Sequence, residues 1–217
     1  MSAILTSFVT AAGGILAGLA LAGALLWRQQ QALHHARYAA SHDALTGLPN
    51  RRTLIEHLRA ALGRGSPLGV ILLDLNRFKT VNDSLGHDAG DQLLRAVADR
   101  LADLPDPVRL AARLAGDEFV LVVHADADPT LAAAHAAWRA ISDSPIPVGR
   151  HLVEISASVG VAMARLGISH RQLLHHADLA MYQAKNKNGG GVHAHSPGSG
   201  EATLIARPAR RPRDRHH

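Results

Sequence analysis

The apolar and polar positions divide the chain into four stretches. Residues 1–27 carry no charged side chain. A helix needs about 20 mostly apolar residues to cross a bilayer core, so this run predicts a transmembrane helix. Arg28 and Arg37 follow it and nothing basic precedes it. The positive-inside rule then makes the chain a single-pass protein of the inner or plasma membrane, with its remaining residues cytoplasmic. Trp27 falls at the interface, and Gly14 and Gly18 form a small-xxx-small pair that suits close helix packing. Residues 28–41 read as a polar helical linker or stalk. Residues 42–195 carry the periodic patterns of a folded domain. Residues 196–217 are rich in Pro, Gly and Arg and read as a disordered basic tail.

Within 42–195 the periods alternate between helical and extended. Leu54, Leu58 and Leu62 share one face of a helix over 51–62. The unbroken apolar run 68–73 ends at Asp74 and predicts a buried strand over 68–75. A short helix over 78–85 stops at Gly86, and a longer one over 89–104 stops at Pro105. Strands over 108–114 and 119–123 flank a tight turn at Ala115-Gly116-Asp117-Glu118, a hairpin signal. An Ala-rich helix over 129–141, a strand over 152–163, a helix capped by Ser169 and running to Lys185, and a short edge strand over 192–195 complete the domain. This order predicts an α+β domain with a largely antiparallel central sheet flanked by helices.

Composition narrows the chemistry. The chain has 217 residues, 47% hydrophobic and 19% charged, which excludes global disorder. It has no cysteine, so a disulfide scaffold, a thiolate zinc site, an iron–sulfur cluster and a cysteine nucleophile are all excluded. The net charge of +5 suits an anionic partner. Aromatic residues at 3% argue against stacking platforms for single-stranded nucleic acid, and no nucleic-acid partner is expected. The fifteen histidines include the pairs His34-His35, His175-His176 and His216-His217. None repeats at zinc-ligand spacing, and none is assigned a metal.

The candidate chemistry is carboxylate chemistry. Asp74 ends a buried strand, and Asp117 and Glu118 sit at the hairpin tip. If the hairpin lies beside the first strand, these groups converge. Carboxylates without Cys favour hard cations, Mg²⁺ or Mn²⁺. Lys79, one turn into the following helix, is placed to hold phosphate as a point charge. Gly116 lets the hairpin backbone approach a ligand closely.

Five segments together resemble a known family. Asp43-Ala44-Leu45-Thr46-Gly47-Leu48-Pro49-Asn50-Arg51 is similar to the opening motif of GGDEF domains, the diguanylate cyclases. Asp74 to Asp83, followed by Gly86-His87-Asp88-Ala89-Gly90-Asp91, resembles their nucleotide-binding segment. Arg113-Leu114-Ala115-Gly116-Asp117-Glu118-Phe119 resembles the signature hairpin. Ser158-Val159-Gly160-Val161-Ala162 and Ala177 to Lys185 resemble the later strand and helix. The resemblance runs in order over about 41–195.

The resemblance implies a palm-like nucleotidyl cyclase fold, one GTP per domain, and a homodimer that joins two GTP into cyclic di-GMP and two pyrophosphates. By position it implies that Asp74, the Leu75 carbonyl, Asp117 and Glu118 hold the metals, and that Asp117 or Glu118 activates the 3′-hydroxyl. It implies that Lys79, the backbone near Phe78, and Lys185 contact the phosphates, and that His87 lies near the nucleotide. Asn82 and Asp91 would read guanine. The Asp91 carboxylate accepts from N1–H and N2–H, and a carboxylate built for two donors rejects a purine that lacks them. Three features depart from the pattern. Ala115 stands where the signature begins with Gly. Asp106 and Arg109 invert the Arg-x-x-Asp of the product-feedback site, so feedback through that site is not expected. Gly189 stands where a basic residue often follows the helix lysine, with Lys187 nearby. The alternative reading is a catalytically degenerate GGDEF module that binds GTP or a partner and signals by interaction.

Overall fold

The computed structural model describes residues 21–33, 36–186 and 190–196. Five strands form the central sheet: β1 (Gly69–Asn76), β2 (Val108–Ala115), β3 (Glu118–Val123), β6 (Ser156–Met163) and β7 (Gly191–Ala194). Their order is β2-β3-β1-β6-β7. β1 is central and antiparallel to both β3 and β6, while β7 runs parallel to β6, so the sheet is mixed. Five helices follow the 51–186 sequence: α1 (Arg51–Gly63), α2 (Phe78–Leu85), α3 (His87–Ala102), α4 (Ala127–Ser142) and α5 (His170–Asn186).

The central position of β1 explains its continuous apolar run, because both faces are covered. Ile71, Leu73 and Leu75 point to one face and join Leu93, Val97 and Leu101 of α3 and Ala134, Ala137 and Ile141 of α4. Val70 and Leu72 point to the other and join Leu54 and Leu58 of α1 and Leu173, Ala177 and Met181 of α5. Asp74 continues the second series, so its carboxylate faces the α5 side. Two helix starts, those of α1 and α5, are capped by side chains. Asn50 Oδ1 accepts from the N–H groups of Arg52 and Thr53, each at 3.1 Å. At α5, Gln172 N–H donates to Ser169 Oγ at 3.3 Å and Gln172 Oε1 accepts from Ser169 N–H at 3.0 Å, a reciprocal capping box.

Two expectations change. The strand over 152–163 is two strands. β4 (Ile146–Val148) and β5 (His151–Val153) form a separate two-stranded ribbon, and the chain enters the main sheet only at Ser156. Apolar residues run through both, so periodicity alone does not show the break. The membrane anchor is the second. Residues 1–20 of the expected span lie outside the described residues, together with Gly14 and Gly18. The described part is helical over 21–33 and 36–41, and Arg28 interrupts it after seven apolar positions. Among the described residues no helix is long and apolar enough to cross a membrane. The transmembrane segment and the inner-membrane placement are corrected accordingly. The basic tail from 197 onward also lies outside the described residues.

Candidate active site

The site lies where β1 ends and the β2–β3 hairpin turns. Antiparallel register puts Asp74 opposite Glu118 on one side and opposite Ser158 on the other. Leu75 N–H donates to the Asp117 carbonyl at 3.3 Å, which ties the turn to the strand end. Asp74 is 8% exposed. Its Oδ2 accepts a hydrogen bond from Lys185 Nζ, in the last turn of α5, at 2.6 Å. α5 lies close enough to do this because Gly160 has no side chain. A Cβ there would stand 2.1 Å from the Ala177 carbonyl oxygen and 2.2 Å from Met181 N.

Arg113 fixes the hairpin. Its Nε and Nη2 donate to the Gly116 carbonyl at 2.9 and 2.7 Å, and its Nη1 donates to Asp43 Oδ1 at 2.8 Å. The same Asp43 oxygen accepts from Thr46 N–H at 2.9 Å and Thr46 Oγ1 at 2.8 Å. Burial pushes the Asp43 carboxyl up, but the Arg113 and Thr46 hydrogen bonds outweigh it and hold it below its ordinary value. The turn itself needs Gly116, at φ 59°, whereas Ala115 lies in a β-bulge with no left-handed backbone. Alanine at the first signature position therefore carries no conformational penalty. The non-glycine residue held left-handed among those described is Arg77, at φ 59°, where β1 hands over to α2.

Asp117 carries the electrostatic signature. Burial first, and the Asp74 charge second, push its carboxyl above the ordinary value. Glu118 adds to the push, while a backbone hydrogen bond and Lys185 oppose it. Two carboxylates held together in a half-buried cleft attract positive charge, and a Lys ammonium already sits on one of them. The donors are all oxygen. Among the described residues no group of three or more His, Cys, Asp or Glu is assembled to hold a metal ion. An all-oxygen donor set fits Mg²⁺ or Mn²⁺, which use one or two carboxylates and complete their shell with water and substrate phosphates.

The expected nucleotide contacts flank this end of the sheet. Phe78 and Lys79 open α2 just beyond β1, with Phe78 half-buried against the core and Lys79 exposed. The Asn82 side chain crosses onto α3: a Cβ at Gly90 would stand 1.8 Å from Asn82 Oδ1. Asp91, half-buried, is the next residue of α3. His87 is exposed at the first position of α3. Lys185 is drawn to Asp74. Asp106 and Arg109 pair with each other at 3.0 Å on the surface. Lys187 and Gly189 lie outside the described residues.

Sequence reasoning gave Arg113 and Asp43 no role. The structure joins them across 70 residues, and their presence in two separate motifs was the available signal. Asn76 was also passed over. Its Nδ2 donates to Ser156 Oγ at 3.0 Å and its Oδ1 accepts from Ser158 Oγ at 2.7 Å, which locks the β1–β6 end beside Asp74.

Residues 40–190 match the family described as "Diguanylate cyclase, GGDEF domain". The signaling protein YkoW of Bacillus subtilis is 39% identical over 169 residues, covering 74% of this chain and 21% of that protein. The response regulator PleD of Caulobacter vibrioides is 40% identical over 162 residues, covering 70% of this chain and 36% of that protein. The chain thus spans between about a fifth and a third of these relatives. A structure of the coiled coil and GGDEF domain of DgcB from Caulobacter crescentus, in complex with c-di-GMP, superposes with a TM-score of 0.75 at 28% identity, covering 83% of this chain and 98% of that one. With its folding pattern, its paired acidic hairpin and its match through most of its length, the chain belongs to the GGDEF diguanylate cyclase family.

Proposed function

We propose that the protein is a diguanylate cyclase that joins two GTP into one cyclic di-GMP, with release of two pyrophosphates, between two facing copies of the domain. The observation that carries this reading is the meeting of Asp74, Asp117 and Lys185 at one end of β1. Asp91 accepts from the guanine N1–H and N2–H, and the Asn82 amide pairs along the same base edge. Lys79 and the first backbone N–H groups of α2 steady the phosphates. Lys185 is placed to exchange its Asp74 contact for a phosphate oxygen. Asp74, the Leu75 carbonyl, Asp117 and Glu118 are the groups that would hold Mg²⁺ or Mn²⁺. Such an ion, when bound, neutralises the triphosphate and its departing charge. A hairpin carboxylate, Asp117 or Glu118, takes the proton of the 3′-hydroxyl of one GTP. That oxygen bonds to the α-phosphorus of the other, the bond to the β-phosphate oxygen breaks, and pyrophosphate leaves. The second, symmetry-related transfer closes the ring. Each domain supplies half of the centre, so rate depends on pairing.

The test is the purified chain with GTP and Mg²⁺, followed by chromatographic product analysis. Cyclic di-GMP and one pyrophosphate per GTP are expected. Asp117→Asn stops turnover while circular dichroism stays that of the wild type. A wild-type protein that binds GTP and forms no cyclic dinucleotide is the degenerate module instead.

A further inference from the structure

We propose, resting on the cyclase reading above, that Asn76 is a positioning residue for the reaction: its amide, clamped by Ser156 and Ser158, holds the left-handed backbone of Arg77 and so sets the groups on either side of that turn. Asn76 is the last residue of β1 and Phe78 the first of α2, so the chain turns at Arg77. Arg77 sits there at φ 59° and ψ 21°, with no side-chain hydrogen bond capping α2. A non-glycine residue held left-handed is strained, and it persists only where its surroundings over-determine it.

The neighbouring amide supplies that restraint. In the β1–β6 ladder Asn76 stands opposite Ser156, and Asp74 stands opposite Ser158. Asn76 Nδ2 donates to Ser156 Oγ at 3.0 Å, straight across the pair. Asn76 Oδ1 accepts from Ser158 Oγ at 2.7 Å, on the diagonal. Ser158 is fully buried, so its hydroxyl needs a partner inside the protein, and Asn76 provides one. The chain returning from α5 closes a third side, because a Cβ at Gly190 would collide with Asn76 Nδ2 and the Ala157 carbonyl oxygen. The amide is thus fixed on three sides, one residue before the strained turn. The groups that this turn sets are the ones the reaction uses. The Leu75 carbonyl belongs to the peptide bond that the Asn76 nitrogen completes, and the Phe78 N–H directly follows Arg77. A turn that relaxes rotates the carbonyl that would hold the cation and the N–H groups that steady the phosphates. It leaves Asp91, on α3, to bind guanine as before. A misplacement of about 1 Å at such groups costs on the order of 10²-fold in rate.

The test is Mg²⁺-dependent binding of a fluorescent GTP analogue to the full chain, read without turnover, beside initial rates of product formation. Asn76→Ala raises the Mg²⁺ midpoint for binding by about fivefold or more and lowers kcat on the order of 10²-fold, while KM for GTP at saturating Mg²⁺ stays within about threefold. Adding Arg77→Gly, which takes a positive φ without strain, restores most of the lost Mg²⁺ affinity. Ser156→Ala, at a half-buried position, shifts the midpoint the same way by less, and it serves where Asn76→Ala does not fold. A side chain that only braced the sheet would lower the melting temperature and leave the midpoint of the folded protein alone. A wild-type midpoint in Asn76→Ala, or in Ser156→Ala if the first does not fold, overturns this role, and so does a loss that Arg77→Gly leaves unrelieved. A wild type that binds GTP and forms no cyclic di-GMP defeats the cyclase reading instead, and the shift in midpoint is still expected.

Discussion

Replacing Arg113 by Met tests what holds the signature turn. Methionine keeps the apolar stem and removes the guanidinium, which makes three hydrogen bonds of 2.7–2.9 Å to Gly116 and Asp43. The Arg113 side chain is 10% exposed and Asp43 27%. Breaking a fully buried ion pair costs about 3–5 kcal/mol. Asp43 stays partly solvated and keeps two Thr46 donors, which lowers the figure to about 2–3 kcal/mol. For a domain of this size, that is a melting temperature lower by about 4–12 °C. The Gly116 carbonyl loses both Arg113 donors, so the turn that carries Asp117 loosens and cyclase activity falls further than stability does. Thermal unfolding followed by circular dichroism measures the first effect, and product formation at a temperature where the variant is folded measures the second. Asp43→Asn and the double variant complete the cycle, with the double loss smaller than the sum by about 1–2 kcal/mol. A melting temperature within 1 °C of wild type (roughly the noise of a neutral surface change) would refute the reasoning.

Three other outcomes follow from the same geometry. Asp117→Asn melts higher than wild type at pH 7 without metal. The Asp117 folded pKa lies above its ordinary value of 3.8, so ionising it costs stability. That cost is absent below the ordinary value and grows as pH rises through the folded one, so the two melting curves converge on acidification; a gap that widens in acid contradicts this. Lys185→Gln removes the cation on Asp74 from a half-exposed position and lowers stability by at most about 1 kcal/mol. Mg²⁺ then raises its melting temperature more than it raises that of wild type, and equal Mg²⁺ shifts contradict the exchange of Lys185 for metal. Gly160→Ala drives a methyl group into the α5 backbone and costs about 3 kcal/mol or more, read by denaturant unfolding. A wild-type midpoint would mean that α5 does not sit flush on β6.

Much of this architecture was legible because it is local. The unbroken run before Asp74 reports a strand covered on both faces, and it is central. The turn at Ala115-Gly116-Asp117-Glu118 reports a hairpin, and α5 begins where Ser169 predicts. Residues joined over long separations were not legible as contacts. Arg113 with Asp43, Gly160 beneath Ala177, and His57 with His124 each depend on how elements pack, which no local period encodes. The ribbon of β4 and β5 escaped for another reason. Buried Val153, Ile155 and Ala157 alternate with Glu154 and Ser156, so the change of sheet leaves the two-residue period unbroken.

The order β2-β3-β1-β6-β7 has a consequence for how the protein comes into being. The acidic cleft draws on Asp74 early in the domain, the hairpin in its middle, and Lys185 near its end. β1 forms its second ladder only when β6 has been synthesised, and α5 docks later still. A ribosome-bound chain that stops before α5 holds the acidic pair without its ammonium partner. Assembly of the cleft therefore waits for the last helix of the domain, and its rate is set by these distant pairings more than by any single helix.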